Sequence, residues 1–211
     1  MIKILIADDH PIVRRGLREI IEDETDMKVE CEASTSLEVI DNLRSHEIDV
    51  ILLDISMPGK SGLDLILDLK NEFPDIPVLV LSAMSEEIYA KRVIKSGAFG
   101  FLNKESAPEL LVQAIKKVYS GKRFISEKLA EVIASDLSQS ENEKLHELLS
   151  DREFEVLRQI GSGKSVGEIA EILNLKVTTI STYRMRIMEK FGMKTNSELM
   201  QYCIHEKLIN T

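Results

Sequence analysis

Asp8, Asp9, Asp54 and Lys104 each stand at the end of an apolar run. Ile2 to Ala7 leads into the first two, Val50 to Leu53 into Asp54, and Phe99 to Leu102 reaches Lys104. If these runs are neighbouring parallel strands, their carboxyl ends open on one edge of a sheet, where open α/β folds bind ligands. Three carboxylates would then crowd together, and like charges that close repel unless a cation stands among them. A hard divalent ion with oxygen ligands answers that need, which implies Mg²⁺. With the ion in place, Asp54 is a carboxylate nucleophile able to attack phosphorus, while the ion and Lys104 spread the charge developing on the transferred oxygens. The expected product is an aspartyl phosphate.

The elements that must position these residues follow from the alternation of patterns over the first 120 residues, which is that of a doubly wound parallel sheet. Strands are expected at Lys3 to Ala7, Val29 to Ala33, Asp49 to Leu53, Val78 to Ser82 and Phe99 to Leu102. Amphipathic helices fall between them at Pro11 to Glu22, Leu37 to Ser45, Gly62 to Glu72, Glu86 to Ser96 and Ala107 to Ser120. Pro11 suits a first helical turn, where its missing N–H has no partner to lose. Ser106-Ala-Pro-Glu109 has the form of a capping box.

Beyond Gly121 the pattern loosens. Phe124 to Ser138 can form a helix, and the polar run from Ser138 to Lys144 reads as linker. No strand pattern follows. Capping boxes at Ser150-Asp-Arg-Glu153, Ser165-Val-Gly-Glu168 and Thr195-Asn-Ser-Glu198 announce three helices, and Thr178 or Thr179 can cap a fourth. The expected fold class is α/β plus all-α: a five-stranded doubly wound, flavodoxin-like sheet over residues 1–121, a partly helical linker over 122–146, and a four-helix domain over 147–211.

At the centre of that second domain is a helix-turn-helix. Val166, Ile169, Ala170 and Leu173 face one helix inward, Asn174-Leu175-Lys176 makes the turn, and Ile180, Tyr183, Ile187 and Phe191 form the buried stripe of the next. The opposite face carries Ser181, Thr182, Arg184, Met185 and Arg186, placed to enter a major groove or clamp phosphates. Charge is distributed accordingly. The chain is net −9, but residues 1–121 carry −8 and residues 144–211 carry +1, and Lys176 to Lys194 hold Lys176, Arg184, Arg186, Lys190 and Lys194 against Glu189 alone. A local basic patch of this kind suits a DNA-reading helix.

Cys31 and Cys203 lie far apart and fit free thiols in a reducing compartment, as small core residues. The four histidines show no metal-ligand spacing, which disfavours zinc. No apolar stretch approaches ~20 residues, and the opening Met1-Ile2-Lys3-Ile4 is already strand, so a cytoplasmic chain without membrane association is expected.

Asp8-Asp9-His10-Pro11, the Leu53 to Gly59 run, Leu81-Ser82-Ala83 and Asn103-Lys104 resemble the receiver domain of bacterial two-component response regulators. Leu149 to Glu153, Ile169-Ala170, Thr179 to Arg184 and Glu189 to Gly192 resemble the LuxR-type helix-turn-helix, and the combination is that of the NarL/FixJ family. The resemblance implies Asp54 as phosphoacceptor, and Asp8, Asp9, Asp54 and the Ser56 carbonyl around Mg²⁺. It implies Ser82 and Lys104 on the phosphoryl oxygens, Ser82 and Phe101 as switch residues, and Pro58 and Gly62 as shapers of the loop after the acceptor. A sensor histidine kinase is the implied donor. Promoter DNA is the implied target, contacted from Lys176, Thr178, Thr179, Ser181, Thr182, Tyr183, Arg184, Met185, Arg186 and Lys190, with a homodimer formed on phosphorylation or DNA binding.

Plainer readings compete at several places. A strand-terminal aspartate is commonly only a turn former; the ordered set of Asp8, Asp9, Asp54, Ser82 and Lys104 favours the functional reading. A dehalogenase-type phosphohydrolase needs a second acid where Ser56 stands, so the chain is not read as an enzyme. Gly161-Ser-Gly-Lys-Ser165 lacks the first glycine of a P-loop, Arg158 standing there, and reads as a helix-ending turn. Arg14, Arg15 and Arg18 are surface charge or a kinase-docking face, and Met200, Tyr202 and His205 are core or dimer surface. A signalling adaptor that acts through protein contacts without reading DNA is the alternative function.

Overall fold

The computed structural model describes residues 1–57, 60–83, 85–106, 108–126, 129–131 and 144–209. The chain divides into two compact units, Met1–Ser138 and Gln139–Thr211.

The first unit is built on five parallel strands, β1 (Ile2–Ala7), β2 (Met27–Ala33), β3 (Val50–Asp54), β4 (Val78–Ser82) and β5 (Gly100–Asn103), in the order β2-β1-β3-β4-β5. The inner strands β3 and β4 are buried throughout, and their sequences, Val-Ile-Leu-Leu-Asp and Val-Leu-Val-Leu-Ser, are the near-continuous apolar runs that helices on both faces demand. Edge strand β2 alternates toward partial exposure. The connecting helices are α1 (Pro11–Glu22), α2 (Ser36–Ser45), α3 (Gly62–Glu72), α4 (Glu86–Ser96) and α5 (Pro108–Tyr119). Ile4, Ile6, Val50, Leu52, Leu79, Leu81 and Leu102 pack with Ile21 of α1 and with Leu111, Ala114, Ile115 and Val118 of α5. Side chains alternate across a sheet, so Leu5, Ile51, Leu53, Val80 and Phe101 point to the opposite face, that of α2, α3 and α4.

Each strand and helix expected up to residue 120 is present, with ends shifted by a residue or two. Ala107, the second residue of the expected capping box before α5, lies outside the described residues. The linker needs correction at its start. Phe124, assigned to a helix from the sequence, is extended instead: it forms a parallel bridge with Gly100, donates its N–H to Phe99 O at 2.8 Å and is buried in the core. A side chain at Gly100 would meet Leu79 and Phe124 at 2.9 Å, so only glycine admits this contact. Leu129 to Glu131 are helical. The rest of the expected helix to Ser138, and the polar run up to residue 143, fall outside the described residues.

The second unit opens with a 3₁₀ turn, Leu145–Leu148, and continues through α6 (Asp151–Gly161), α7 (Val166–Ile172), α8 (Val177–Phe191) and α9 (Asn196–His205). All three expected capping boxes form, at Ser150/Glu153, Ser165/Glu168 and Thr195/Glu198. The fourth cap does not. Helix α8 begins at Val177 with Lys176 at its N-cap and no side-chain cap, which leaves Thr178 and Thr179 within the first turn. Phe154, Leu157, Ile160, Ile169, Ile180, Ile187, Phe191, Leu199 and Cys203 are buried, whereas Tyr183, expected on the buried stripe, is half-buried. Asn174 makes the turn before α8 at φ 50°, a left-handed conformation that asparagine tolerates. The Gly161 to Ser165 segment ends α6 and caps α7, as the helix-ending reading requires.

Candidate functional site

The pocket follows from strand parity. Ile6 of β1 pairs with Leu52 of β3, Leu52 with Leu79 of β4, and Leu81 with Leu102 of β5. Two residues on from Ile6, Leu52 and Leu102 come Asp8, Asp54 and Lys104. Each continues the side-chain direction of the α1/α5 core past the carboxyl edge of the sheet. The three converge: Lys104 Nζ lies 2.6 Å from Asp8 Oδ2 and 2.6 Å from Asp54 Oδ2. Both carboxylates are buried, at 2% exposure, and the lysine side chain is 16% exposed.

Hydrogen bonds hold the carboxylates in place. The His10 N–H donates to Asp8 Oδ1 at 2.8 Å, and the Ser56 N–H donates to Asp54 Oδ1 at 3.0 Å. At the start of α3, a side chain at Gly62 would collide with the backbone of Ile55, so only glycine lets the helix begin so close to the end of β3. Pro58, the other expected shaper of this loop, lies outside the described residues. Burial pushes the Asp54 carboxyl above its ordinary value, against the Lys104 ammonium and the Ser56 N–H, which favour the charged form. Burial would lower the Lys104 ammonium, but Asp54 and Asp8 outweigh it and hold it above its ordinary value.

The residues fit a divalent cation. Asp8 Oδ2 and Asp9 Oδ1 are buried oxygens that no donor reaches with hydrogen-bond geometry among the described residues, although Lys104 Nζ and His10 Nδ1 stand beside them. One ligand atom from each of Asp8, Asp9, His10 and Asp54 can lie within 4.8 Å of the others. Acceptor-only oxygens gathered in this way are the donor set of a hard ion.

Ser82 and Phe101 are both fully buried. Val80 pairs with Phe101 and Ser82 with Asn103, so Ser82 and Phe101 share the face of α2 to α4. Lys104 is tied to the same place through its N–H, which donates to Ser82 O at 3.0 Å. A change at Ser82 is therefore one strand away from the aromatic ring.

Two neighbours of the pocket were given no role in it from the sequence: His10, noted only within the Asp8-Asp9-His10-Pro11 run, and Arg14, read as surface charge or a kinase-docking face. His10 Nδ1 stands 2.8 Å from Asp9 Oδ1, and Arg14 donates from Nη1 to Asp8 O at 2.6 Å. Their spacing is a legible signal, since His10 follows the acid pair directly and Arg14 lies one helical turn further on. Arg14 and Arg18 also pair with Glu32 of β2, so both are held within the first unit, whereas Arg15 is exposed beside Glu19.

In the second unit, the N-cap Lys176 and, along α8, Thr178, Ser181, Thr182, Met185 and Arg186 are exposed to solvent, with Thr179, Tyr183 and Arg184 half-buried. Ser181 Oγ donates to Val177 O and Thr182 Oγ1 to Thr178 O, each at 3.0 Å. Arg184 Nε donates to Asn196 Oδ1 at 2.6 Å, fixing the arginine against the start of α9. Lys190, expected among the DNA contacts, is engaged inside the unit: its ammonium donates to Leu148 O at 3.0 Å and to Glu153 Oε2 at 2.7 Å. Of the α9 residues left open between core and dimer surface, Tyr202 is half-buried and packs within the unit. Its hydroxyl accepts the His146 N–H at 3.1 Å, and its ring packs edge-on against Phe191. Among the described residues, no helix is long and apolar enough to cross a membrane.

The family model of the response regulator receiver domain matches residues 4–116, and that of the bacterial regulatory proteins of the luxR family matches residues 147–203. Response regulator UvrY of Escherichia coli strain K12 is 38% identical over 213 residues, covering 100% of this chain and 97% of its own length. Oxygen regulatory protein NreC of Staphylococcus epidermidis strain ATCC 35984 is 35% identical over 215 residues, covering 98% of this chain and 99% of its own. Among solved structures, RcsB of Salmonella typhimurium superposes with a TM-score of 0.72 at 31% identity, covering 95% of this chain and 96% of that one. RcsB of Salmonella enterica serovar Typhimurium bound to promoter rprA with the phosphomimetic BeF₃⁻ gives 0.67 at 30% identity, covering 95% and 97%.

Proposed function

The chain belongs to the NarL/FixJ family of two-component response regulators, a receiver domain followed by a LuxR-type DNA-binding domain, and from that we propose a cytoplasmic transcriptional regulator switched by phosphorylation of Asp54. The donor is a sensor histidine kinase. An Asp54 carboxylate oxygen attacks the phosphorus of the phosphohistidine, the P–N bond breaks as the P–O bond forms, and the imidazole leaves to take up a proton. Asp8, Asp9, Asp54 and the Ser56 carbonyl would hold Mg²⁺, which would supply neutralisation of charge on the transferred oxygens. Lys104, already beside Asp54, follows the new phosphoryl group as its fixed ammonium partner. Ser82 turns its hydroxyl toward that group, and Phe101 repacks on the same face of the sheet.

The output is a change in DNA binding. The RcsB structures include a promoter complex with a phosphomimetic and RcsB dimers on DNA; by that likeness this chain binds paired half-sites as a homodimer. Lys176, Arg184 and Arg186 contact phosphates, while Thr178, Thr179, Ser181, Thr182, Tyr183 and Met185 lie along or beside the groove. Lys190 joins them only if it leaves Glu153. A switch of this kind needs a coupling of only ~1 to 3 kcal/mol between phosphorylation and DNA binding.

The observation that carries this reading is the Lys104 ammonium shared by two buried carboxylates at the sheet edge. The test is acetyl phosphate labelling of the full chain and of Asp54→Asn, followed by mobility shift on genomic fragments. Label lost in the variant, together with tighter DNA retention by the labelled wild type, is the expected result. Equal labelling of both proteins would remove Asp54 as acceptor, and absence of any retained DNA would favour the adaptor.

A further inference from the structure

Resting on the reading of the second unit as a DNA-binding module, we propose that α8 reads thymine methyl groups through Met185, with the Ser181 and Thr182 hydroxyls acting as hydrogen-bond acceptors. The outward stripe of the helix is unusual in what it lacks. Ser181, Thr182 and Met185 occupy successive exposed positions at its centre, and Met185, at 62% exposure, is among the most exposed large apolar side chains of the described residues. No residue of that stripe is a bidentate donor, which is what guanine O6 and N7 call for.

The hydroxyls are further constrained. Each carries a single proton, and those of Ser181 and Thr182 are committed to Val177 O and Thr178 O four residues back. Their remaining lone pairs can accept from adenine N6 or cytosine N4, while the Met185 thioether chain offers only apolar contact. In the major groove the C5-methyl of thymine is the one apolar group a base presents. An A·T pair thus satisfies both kinds of group at once.

The cations stand to either side. Arg184 and Arg186 are two residues apart, about 200° around the helix. Arg184 is held by Asn196 on one flank, and Arg186 is exposed on the other. That placement matches the two phosphate walls of a groove and leaves the floor to the neutral stripe.

The test uses the full chain with Mg²⁺ and acetyl phosphate, and a duplex pool with a randomised core. Sites retained by the wild type are remade with deoxyuridine in place of thymidine, which removes the methyl and leaves every Watson–Crick hydrogen bond. Wild-type affinity is expected to fall about fourfold for each contacted methyl, the size of one buried carbon. Met185→Ala is expected to bind the thymidine sites more weakly and to show almost no further loss on deoxyuridine, with Met185→Leu restoring most of the difference. The same deoxyuridine loss in Met185→Ala as in wild type, or none in either, overturns the inference while leaving DNA binding intact. Failure to retain any duplex overturns the DNA-binding reading and the inference with it.

Discussion

The pocket of the first unit and the outward face of α8 use charge in opposite ways. At the sheet edge, one ammonium stands 2.6 Å from each of two carboxylates that are almost wholly removed from water. On α8 and its N-cap, Lys176 and Arg186 are exposed, and the half-buried Arg184 is held by an amide rather than an acid. Coulomb attraction is strong where water is excluded and weak where it is not. On the proposed function, the pocket suits one small, highly charged ligand in fixed geometry. The helix face suits a polyanion, whose many weak contacts add and are screened by salt. Lys190 breaks the pattern: a cation on the reading helix, yet paired like a pocket residue with the buried Glu153.

Each side of that contrast can be attacked. The largest effect is expected in the pocket, where Lys104→Met removes the fixed cation beside the acceptor. Acetyl phosphate labelling should slow by about a hundredfold, the scale of losing one preorganised electrostatic group. Unchanged labelling kinetics would mean that the buried ammonium is only structural. Arg186→Ala comes next: in a salt titration of DNA binding, the slope of log affinity against log salt should flatten by about 0.9 for one phosphate contact, without a shift in melting temperature. If melting falls and the slope holds, Arg186 belongs with the internal charges.

Lys190→Met should do the reverse. It leaves Glu153 buried beside an emptied site and should cost about 1 to 2 kcal/mol, read in thermal unfolding, with the salt slope preserved. The smallest effect is one of pH. Burial would raise the Glu153 carboxyl, but Lys190 and the Ser150 N–H and hydroxyl outweigh it and hold it below its ordinary value. A carboxyl depressed in the folded state stabilises the fold at pH above its unfolded value, and that contribution is lost as pH falls through the folded one. The melting temperature should therefore decline between about pH 5 and pH 3, and Glu153→Gln should show a shallower decline. An identical pH profile in the variant would place the acid sensitivity elsewhere.

What was legible in the sequence shares one property, that it repeats locally. Continuous apolar runs gave β3 and β4, and three polar residues at fixed offsets from glutamates gave the caps of α6, α7 and α9. The pocket was legible because Asp8, Asp54 and Lys104 each sit just past such a run, and parallel pairing then brings them together. Contacts between elements leave no such trace. Lys190 with Glu153, Arg184 with Asn196 and Arg14 with Glu32 join residues 37, 12 and 18 positions apart, on elements whose mutual placement no periodicity encodes. Thr178 and Thr179 misled for a related reason. Either can cap a helix, but Asn174 in its left-handed turn lets the helix begin at Val177, before either can act.

The bridge between Phe124 and Gly100 sets where the receiver can be cut. A fragment ending at residue 121 keeps all five strands and α5 yet loses an aromatic ring from its core, opening a hollow over Gly100. Large-to-small changes of that size cost roughly 3 to 5 kcal/mol, a large share of what holds a domain folded. Truncation after Ser126 would keep the ring but discard the fully buried Leu129, so the first compact unit reaches well past α5.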